Sequence, residues 1–570
     1  MTWARCASCG MLVYRKRLAR NLHVCPECGF HRRLTAMERV RQLADEETFV
    51  ALPACAEPRD LLEFIDTMPY PARLARAREA TGLDEAVVCG LAGIMGRPVV
   101  LAVMDFRFMG GSLSTAVGER IAQAADMARA RRLPLLIVTA SGGARMQEGC
   151  LSLMQMASTS EAIARMREVG LLTISLITDP TYGGVAASFA TNADVIIAES
   201  GARMGFAGPR VIKQTIRQNL PSGFQTADFL LRHGQVDMVE GRQHLRATIG
   251  RILAATDPLP APTEYLPGEV PADGEAVVRD PGTLSVRDAW QTVQLARNIE
   301  RPTTQDYLRA AFDSFAELHG DRLYGDCPSI VAGLARIGDF PVAVVGHQKG
   351  HTTTELVGRN FGMPQPEGYR KALRVMQLAA RLSIPVVTLI DTPGAYPGVD
   401  AEERGQAGAI ADCIMEMSRL RVPIVTVVTG EGGSGGALAL GVADEILMLE
   451  NGFYSVISPE GCSSILWNTP ARAPEAARSL HVVAPDLLRL GIIDGVLAEP
   501  AGGAHLDHAA VTRSLRMALL SSLTSLLSVP VGMLLAKRRA RFRRYGRPRT
   551  LTLDQALPGP RQAVEQEARG

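Results

Sequence analysis

Short, continuous apolar runs rich in β-branched residues, each bounded by turn residues, alternate along most of this chain with longer stretches whose apolar positions fall at helical spacing. VVCGLAGI, PVVLAVMDF, PLLIVTAS, LLTISLITDP and ADVIIAES are of the first kind, and ERVRQLADEETF is of the second. Unbroken runs of this length read as buried strands joined by helices, which is an α/β pattern. The pattern then repeats. In residues 134–196 a run ends in Gly142, a helical stretch follows, and a second run ends at Gly183-Gly184 where a helix opens; in residues 385–446 the same events end at Gly394 and Gly435-Gly436. The spacing matches, 183 − 142 = 41 and 435 − 394 = 41, and each second run is followed by an Ala-Asp pair, at Asp194 and Asp444. A shared period points to duplication of one structural unit.

Glycine where a buried strand turns into a helix lets backbone N–H groups face outward, and the helix N-terminus adds partial positive charge. Two such N–H groups form an oxyanion hole. A tight strand-to-helix turn with no chemistry is the other reading, and duplication with matched spacing favours the first. Around this pair of units the chain divides into a cysteine-rich start at 1–32, a helical and charged stretch at 33–90 and a first α/β unit within 33–255, with a helix over 113–131. A proline- and glycine-rich linker at 256–286 follows, then a helical stretch at 287–320 that opens a second unit over 287–546, and a tail at 547–570. Residues 517–536 carry no charge and precede KRRARFRR, a combination that imitates a membrane helix. Five Ser/Thr residues and Pro530 within the segment favour an amphipathic helix on a globular surface.

Composition changes the picture at two points. The 570 residues carry a formal net charge of +2, so no global field calls for nucleic acid or an acidic partner. Only five lysines occur, which makes Lys349 and Lys371, beside Arg359 and Arg370, candidates for holding phosphates. The N-terminus has no apolar signal region, so the ten cysteines are expected as thiols or metal ligands in a cytoplasmic protein. Cys6, Cys9, Cys25 and Cys28 form C-x2-C-x15-C-x2-C, with Gly10 and Gly29 closing each knuckle, and this spacing predicts a zinc ribbon. Cys55, Cys89, Cys150, Cys327, Cys413 and Cys462 read as ordinary core or surface residues.

FRFMGGSL, SGGARMQEG, LMQMA, TDPTYGGVAASFA, GFAGPRVI and LPSGFQ, together with the ribbon, make residues 1–255 similar to the beta-type subunit of bacterial acetyl-CoA carboxylase carboxyltransferase. AWQTVQLARN, RPTTQDYL, GHQKG, RNFGMPQPEGYRKALR, DTPGAYPGVDAEERGQ, GEGGSGGALALG and YSVISPEG make residues 288–546 similar to the alpha-type subunit. The resemblance implies two crotonase-like (ββα superhelix) domains of the α/β class preceded by a small zinc ribbon, the two subunits being fused in one chain. It implies transfer of a carboxyl group from carboxybiotin, held on a biotin carboxyl carrier protein and formed by biotin carboxylase, to acetyl-CoA, giving malonyl-CoA for fatty acid synthesis. It further implies one structural Zn2+ per chain, a homodimer, no membrane span and no nucleic-acid partner. By motif position, Gly142, Gly143, Gly183 and Gly184 would serve the acyl-CoA oxygen, and Gly394, Gly435 and Gly436 the biotin oxygen. Competing readings are an acyl-CoA hydratase using Glu148 or Glu403, a related carboxyltransferase or decarboxylase acting on another acyl-CoA, and a nucleic-acid-binding ribbon protein using the Arg-rich 537–549 run.

Overall fold

The structure is a computed structural model that describes residues 3–545 apart from 54–55, 57–59, 61, 216, 218–219, 258–276 and 286. The cysteine-rich start folds as a hairpin, β1 (Trp3–Arg5) against β2 (Leu12–Tyr14). A first sheet follows from β3 (Val50–Ala51), β4 (Val87–Ile94), β5 (Arg97–Met104), β6 (Leu135–Ser141), β7 (Thr173–Tyr182), β8 (Val195–Glu199), β9 (Met204–Gly205) and β10 (Met238–Glu240). Its order is β10-β8-β7-β6-β5-β4-β3, with β9 on the end of β7, and the pairs from β5 to β10 are parallel. The second sheet contains β11 (Ser314–Glu317), β12 (Ile330–Ile337), β13 (Phe340–His347), β14 (Val386–Thr392), β15 (Ile424–Gly433), β16 (Glu445–Leu449), β17 (Phe453–Ser455) and β18 (Gly495–Leu497). Its order is β11-β12-β13-β14-β15-β16-β18 with β17 on β15. Every residue of β6 and β13 is buried, which is why these runs show no polar alternation.

The duplication extends further than the glycine motifs. β6 and β14 start at Leu135 and Val386, and β7 and β15 at Thr173 and Ile424, an offset of 251 in each case. The helices Thr115–Arg131 and Pro366–Leu382 keep that offset at both ends, and each stops on a residue in the left-handed region, Arg132 and Ser383. Upstream, β5 and β13 start at Arg97 and Phe340, an offset of 243, so the second copy carries 251 − 243 = 8 additional residues before its helix. The short helix Thr353–Gly358 lies there. In both copies the Ala-Asp carboxylate accepts the N–H that opens the neighbouring strand: Asp194 from Thr173 at 2.9 Å and Asp444 from Ile424 at 2.8 Å.

The two units share one apolar core, in which Ile252 and Leu253 of the first join Leu318, Ile330 and Val375 of the second. Arg374 on Asp237 (2.8 Å), Arg381 on Asp194 (2.6 Å) and Arg322 on Asp237 tie the units together. Several sequence expectations change here. The 33–90 stretch includes β3 and the start of β4 besides its helices Ala36–Leu43 and Tyr70–Thr81, and the 287–320 stretch ends in β11. Of the expected linker, 256–257 and 277–285 are described, and Val278 already exchanges two backbone hydrogen bonds of 2.8 Å with Val496 of β18. The tail at 547–570 and Cys55 lie outside the described residues. Cys89, Cys327, Cys413 and Cys462 are buried and Cys150 is exposed.

The uncharged segment near the end is not one helix. His508–Leu527 and Val531–Arg544 meet at 115°, with Pro530 opening the second, and no single helix among the described residues is long and apolar enough to cross a membrane. Leu515, Ala518, Leu519 and Leu523 pack on Val425 and Val427 of the second sheet. The basic run is partly consumed by folding. Arg538 is buried, donating to Asp444 and to the carbonyls of Met417, Leu420 and Val422, and Arg541 pairs with Asp494 at 2.5 Å.

Candidate functional site

In the ribbon, backbone geometry brings the four thiols together. Gly10 (φ +74°) and Gly29 (φ +71°) turn each knuckle, their N–H groups donating to the carbonyls of Cys6 (3.1 Å) and Cys25 (2.9 Å). The Sγ atoms of Cys6 and Cys28 lie 3.7 Å apart, those of Cys9 and Cys25 3.9 Å, and all four lie within 4.8 Å of one another. A tetrahedral thiolate site with Zn–S of about 2.3 Å has edges of about 3.8 Å, the length of the two shortest separations here, so the cluster fits zinc. The N–H of Cys9 lowers the Cys6 thiol toward the thiolate that a metal needs, while the neighbouring Cys9 thiol is pushed up. Beneath the ribbon, Glu199 at the end of β8 is clasped by Arg39 (2.9 and 3.0 Å) and Arg242 (2.7 and 3.0 Å), and Arg242 also donates to the Leu22 carbonyl. Although burial alone raises the Glu199 carboxyl, these two arginines outweigh it and hold it at about 2.

The glycine motifs close into two mouths built alike. At the first, the N–H of Gly143 donates to Ser141 Oγ at 3.0 Å; at the second, the N–H of Gly394 donates to Thr392 Oγ1 at 3.1 Å. These two glycines hold related φ values, +122° and +145°, so the structural register equates Gly143 with Gly394. It also equates Gly183 (φ +58°) with Ser434 (φ +54°), one residue from the pairing that motif spacing suggested. Several of the named N–H groups are already engaged, since Gly142 donates to the Gly110 carbonyl (2.8 Å) and Gly183 to that of Phe206 (3.0 Å). The N–H groups of Ala144 and Gly184 at the first mouth, and of Ala395 and Gly435 at the second, have no acceptor among the described residues. Ala144 and Ala395 are the members that sequence reading missed, because an alanine after a glycine carries no compositional signal.

Close approach explains the glycines themselves. A Cβ on Gly183 would lie 3.0 Å from Gly143 Cα, and a Cβ on Gly436 would lie 2.4 Å from Ala395 N. Gly142 and Gly435 are exposed at their mouths, whereas Gly436 lies behind its mouth as a spacer.

The four candidate phosphate-binding cations are used otherwise. Lys371 is fully buried and donates to Asp326 (2.6 Å) and the Cys327 carbonyl (2.9 Å). Lys349 bridges Asp391 (2.8 Å) and Glu431 (3.2 Å), Arg370 binds Asp321 (2.8 Å), and Arg359 donates to the Pro328 carbonyl (2.8 Å). Each therefore has an acid or a loop carbonyl as its partner within the chain, and none of the four is an unpaired cation. Glu148 is similarly committed: 2% exposed, it accepts from the Tyr70 hydroxyl (2.6 Å) and the Thr115 N–H (2.7 Å). Glu403 lies on the exposed side of a short helix, Val399–Glu403.

Comparison with known proteins agrees with this layout. Residues 3–28 match the family described as acetyl-CoA carboxylase zinc finger domain, and residues 283–546 match that described as acetyl co-enzyme A carboxylase carboxyltransferase-like. The acetyl-coenzyme A carboxylase carboxyl transferase subunits beta/alpha of Salinispora arenicola (strain CNS-205) is 59% identical over 96% of this chain and 97% of its own length. The protein of the same description from Clostridium tetani (strain Massachusetts / E88) is 44% identical over 95% and 93%. The chain belongs to the acetyl-CoA carboxylase carboxyltransferase family. Among solved structures, transcarboxylase 12S with methylmalonyl-coenzyme A and methylmalonic acid bound aligns with a TM-score of 0.67 at 23% identity, over 87% of this chain and 90% of that one. A single-chain, multi-domain long-chain acyl-CoA carboxylase aligns at 0.65 and 19%, over 91% and 51%. At those identities the likeness concerns the fold, and it places both sheets of this carboxyltransferase family member in the crotonase-like class.

Proposed function

We infer that this chain is the carboxyltransferase component of acetyl-CoA carboxylase, moving a carboxyl group from carboxybiotin on a carrier protein to acetyl-CoA. The observation that carries the reading is the pair of glycine mouths, repeated with one offset in a member of this family. Deprotonating the methyl group of a thioester leaves an enolate oxygen, and releasing the carboxyl group from biotin leaves a negative ureido oxygen. Each needs aimed donors. The new C–C bond replaces the N–C bond of carboxybiotin, and the methyl proton ends on the freed biotin nitrogen, so no separate protein base is required. We assign Ala144 and Gly184, shaped by Gly142, Gly143 and Gly183, to the thioester oxygen. We assign Ala395 and Gly435, shaped by Gly394 and Gly436, to the ureido oxygen.

The reading places the protein in the cytoplasm, with residues 33–255 and 287–546 as its two catalytic domains, and as a homodimer in which one copy's first mouth faces the other's second. Large apolar side chains surround both mouths in solvent: Met146, Leu153, Met154 and Phe206 at the first, Val399, Val456, Ile465 and Leu466 at the second. Patches of that kind call for a partner surface. The test is the reverse reaction. Purified protein given malonyl-CoA and free biotin should form acetyl-CoA in a biotin-dependent manner, and malonyl-CoA left unconsumed, or consumed equally without biotin, would sink the reading. Sedimentation of the active protein as a monomer would remove the dimer but leave the chemistry.

A further inference from the structure

Both sheets interrupt their ladder just before the mouths. Thr139 and Ser141 of β6 pair with Ile177 and Thr181 of β7, and Ile390 and Thr392 of β14 pair with Val428 and Gly432 of β15, so two steps on one strand oppose four on the other. Across such a bulge the hydrogen-bond ladder no longer fixes how the strands run, and side chains must do so. In the first unit hydroxyls span the gap: Thr139 Oγ1 and Thr181 Oγ1 lie 2.9 Å apart, and Thr178 Oγ1 donates to the Thr139 carbonyl at 2.6 Å. In the second unit Ile390 and Gly432 stand where those two threonines would be, and Thr429 Oγ1 reaches the Ile390 carbonyl only at 3.3 Å. The gap is spanned by charge instead. Asp391 accepts the N–H of Glu431 at 2.9 Å, and Lys349, from the loop after β13, sets its ammonium 2.8 Å from Asp391 and 3.2 Å from Glu431. Arg297 takes the other oxygen of Glu431 (2.7 and 2.9 Å) and continues to Glu460 at 2.6 Å. Burial lowers the Lys349 ammonium, but the two carboxylates outweigh it and raise it above its ordinary value, so the bridge is ionic at neutral pH.

The place of the bridge in the chain gives it a task. Asp391 stands four residues before Ala395, and Glu431 four before Gly435, the two residues whose N–H groups face the second mouth without an acceptor among the described residues. Space for the lysine is kept by Gly362, where a Cβ would lie 2.7 Å from Lys349 Cγ. Donors aimed at one oxygen must be held to within about 0.5 Å to act together. We propose that Lys349 is a positioning residue for the second mouth: by bridging Asp391 and Glu431 across the bulge it sets the separation at which the Ala395 and Gly435 N–H groups converge on one oxygen. That the oxygen belongs to the ureido group rests on the carboxyltransferase reading above, whereas the bridge and its grip on the two strands do not.

The test cuts the bridge from either end without leaving a charge unpaired. In Lys349→Met/Asp391→Asn the new amide oxygen still accepts the Glu431 N–H, and Glu431 keeps Arg297. In Glu431→Met, Lys349 keeps Asp391 and Arg297 keeps Glu460. Melting temperatures should show both variants of the full chain folded. Turnover of malonyl-CoA with free biotin should nevertheless fall about a hundredfold in each, the scale of a misplacement of about 1 Å. KM for malonyl-CoA should hold, because the first mouth keeps its own hydroxyl bonds, and this split marks a loss confined to the transition state. A crystal structure of either variant should show the Ala395 and Gly435 nitrogens displaced relative to each other and the Ala144 and Gly184 nitrogens in place, which a lysine that merely balanced charge would not produce. A folded variant turning over at the wild-type rate would overturn the proposal, as would unmoved Ala395 and Gly435 nitrogens. Wild-type protein inactive in the same assay would instead sink the carboxyltransferase reading, and the nitrogen positions in the variant would still decide what the bridge holds.

Discussion

The first and second units lay the same backbone over different side chains. Both end one strand in a hydroxyl residue that takes the N–H of a glycine two positions on, Ser141 with Gly143 and Thr392 with Gly394. Both open the next helix in the left-handed region, yet Gly183 stands where the second unit has Ser434 at nearly the same φ. Beneath the mouths the contrast grows. Ala140 and Pro180 of the first unit correspond to Asp391 and Glu431 of the second, which hold Lys349 and, through Glu431, Arg297 (2.7 Å). The device for binding an oxyanion is therefore held in the main chain and copied, while the charge around it is free to differ between two substrates.

The sharpest way to break that comparison is to damage each mouth in turn. Gly183→Ala places a Cβ 3.0 Å from Gly143 Cα at a left-handed position, and Gly436→Ala places one 2.4 Å from Ala395 N. Each should lower turnover in the reverse reaction by about a hundredfold or more, the scale of one lost oxyanion donor. Thermal melting must first show each variant folded. If a folded Gly436→Ala enzyme kept near-normal activity, the second mouth would not take part in the chemistry, and a one-hole hydratase reading would return.

A second prediction separates the units by their attachments, since only the first carries the ribbon. Cys6→Ala/Cys25→Ala should lose its single zinc by metal analysis. Hydrogen exchange should then rise across 22–34, where Arg242 holds the Leu22 carbonyl and Arg33 holds Asp179, and stay unchanged in β12 to β16. Undiminished zinc in the variant would refute the ligand assignment.

The repeat, the strands and the zinc ligands were legible because each is written in a local pattern: apolar runs, glycines after hydroxyl residues and a fixed cysteine spacing. The register was legible only to within one residue. Motif spacing aligned Gly142 with Gly394, whereas the left-handed positions align Gly143 with Gly394 and Gly183 with Ser434, and nothing local marks a serine as left-handed. The pairing of the lysines was illegible for a related reason. Scarcity made Lys349 and Lys371 conspicuous, but their carboxylate partners are 42 and 45 residues away in the chain and become neighbours only through the sheet. The cavity of about 890 Å³ between the ribbon and the carboxyl ends of β5 to β8 could not be read at all, being made by residues brought together from 7–8, 28–34, 39, 103–106, 138–140, 178–179, 199–203 and 242.

Charge beneath the second mouth provides a third, smaller test. Lys349→Met leaves Asp391, 14% exposed, without its cation, while Arg297 keeps Glu431 paired. The expected destabilisation is about 3 kcal/mol, at the low end for breaking a buried pair, read as a lower denaturant midpoint. Ala140→Asp in the first unit should destabilise as well, because no lysine stands opposite it there. A stable Ala140→Asp variant would show that the two floors are interchangeable after all.

The smallest effect concerns acid. The eighth residue of β13 is His347, fully buried with neither ring nitrogen hydrogen-bonded, and its counterpart at the end of β5 is Met104. Burial, aided by the nearby Lys349 charge, lowers the imidazole to about 3. A histidine kept neutral in the folded state and free to protonate in the unfolded one contributes stability that is complete above about pH 6.5 and is lost progressively as pH falls toward 3. At pH 5 the loss is about 2 kcal/mol from this residue alone. Carboxylates in both units add their own acid sensitivity, so the informative quantity is the difference made by His347→Met, which gives the second unit the residue the first already has. From pH 8 to pH 5 the difference between the urea midpoints of wild type and variant should shift in the variant's favour, and a difference that stays constant would show that the histidine is silent. Hydrogen exchange should assign that advantage to β12 to β15 and not to β4 to β7, which ties the acid response to the side chain that distinguishes the two copies of the same strand.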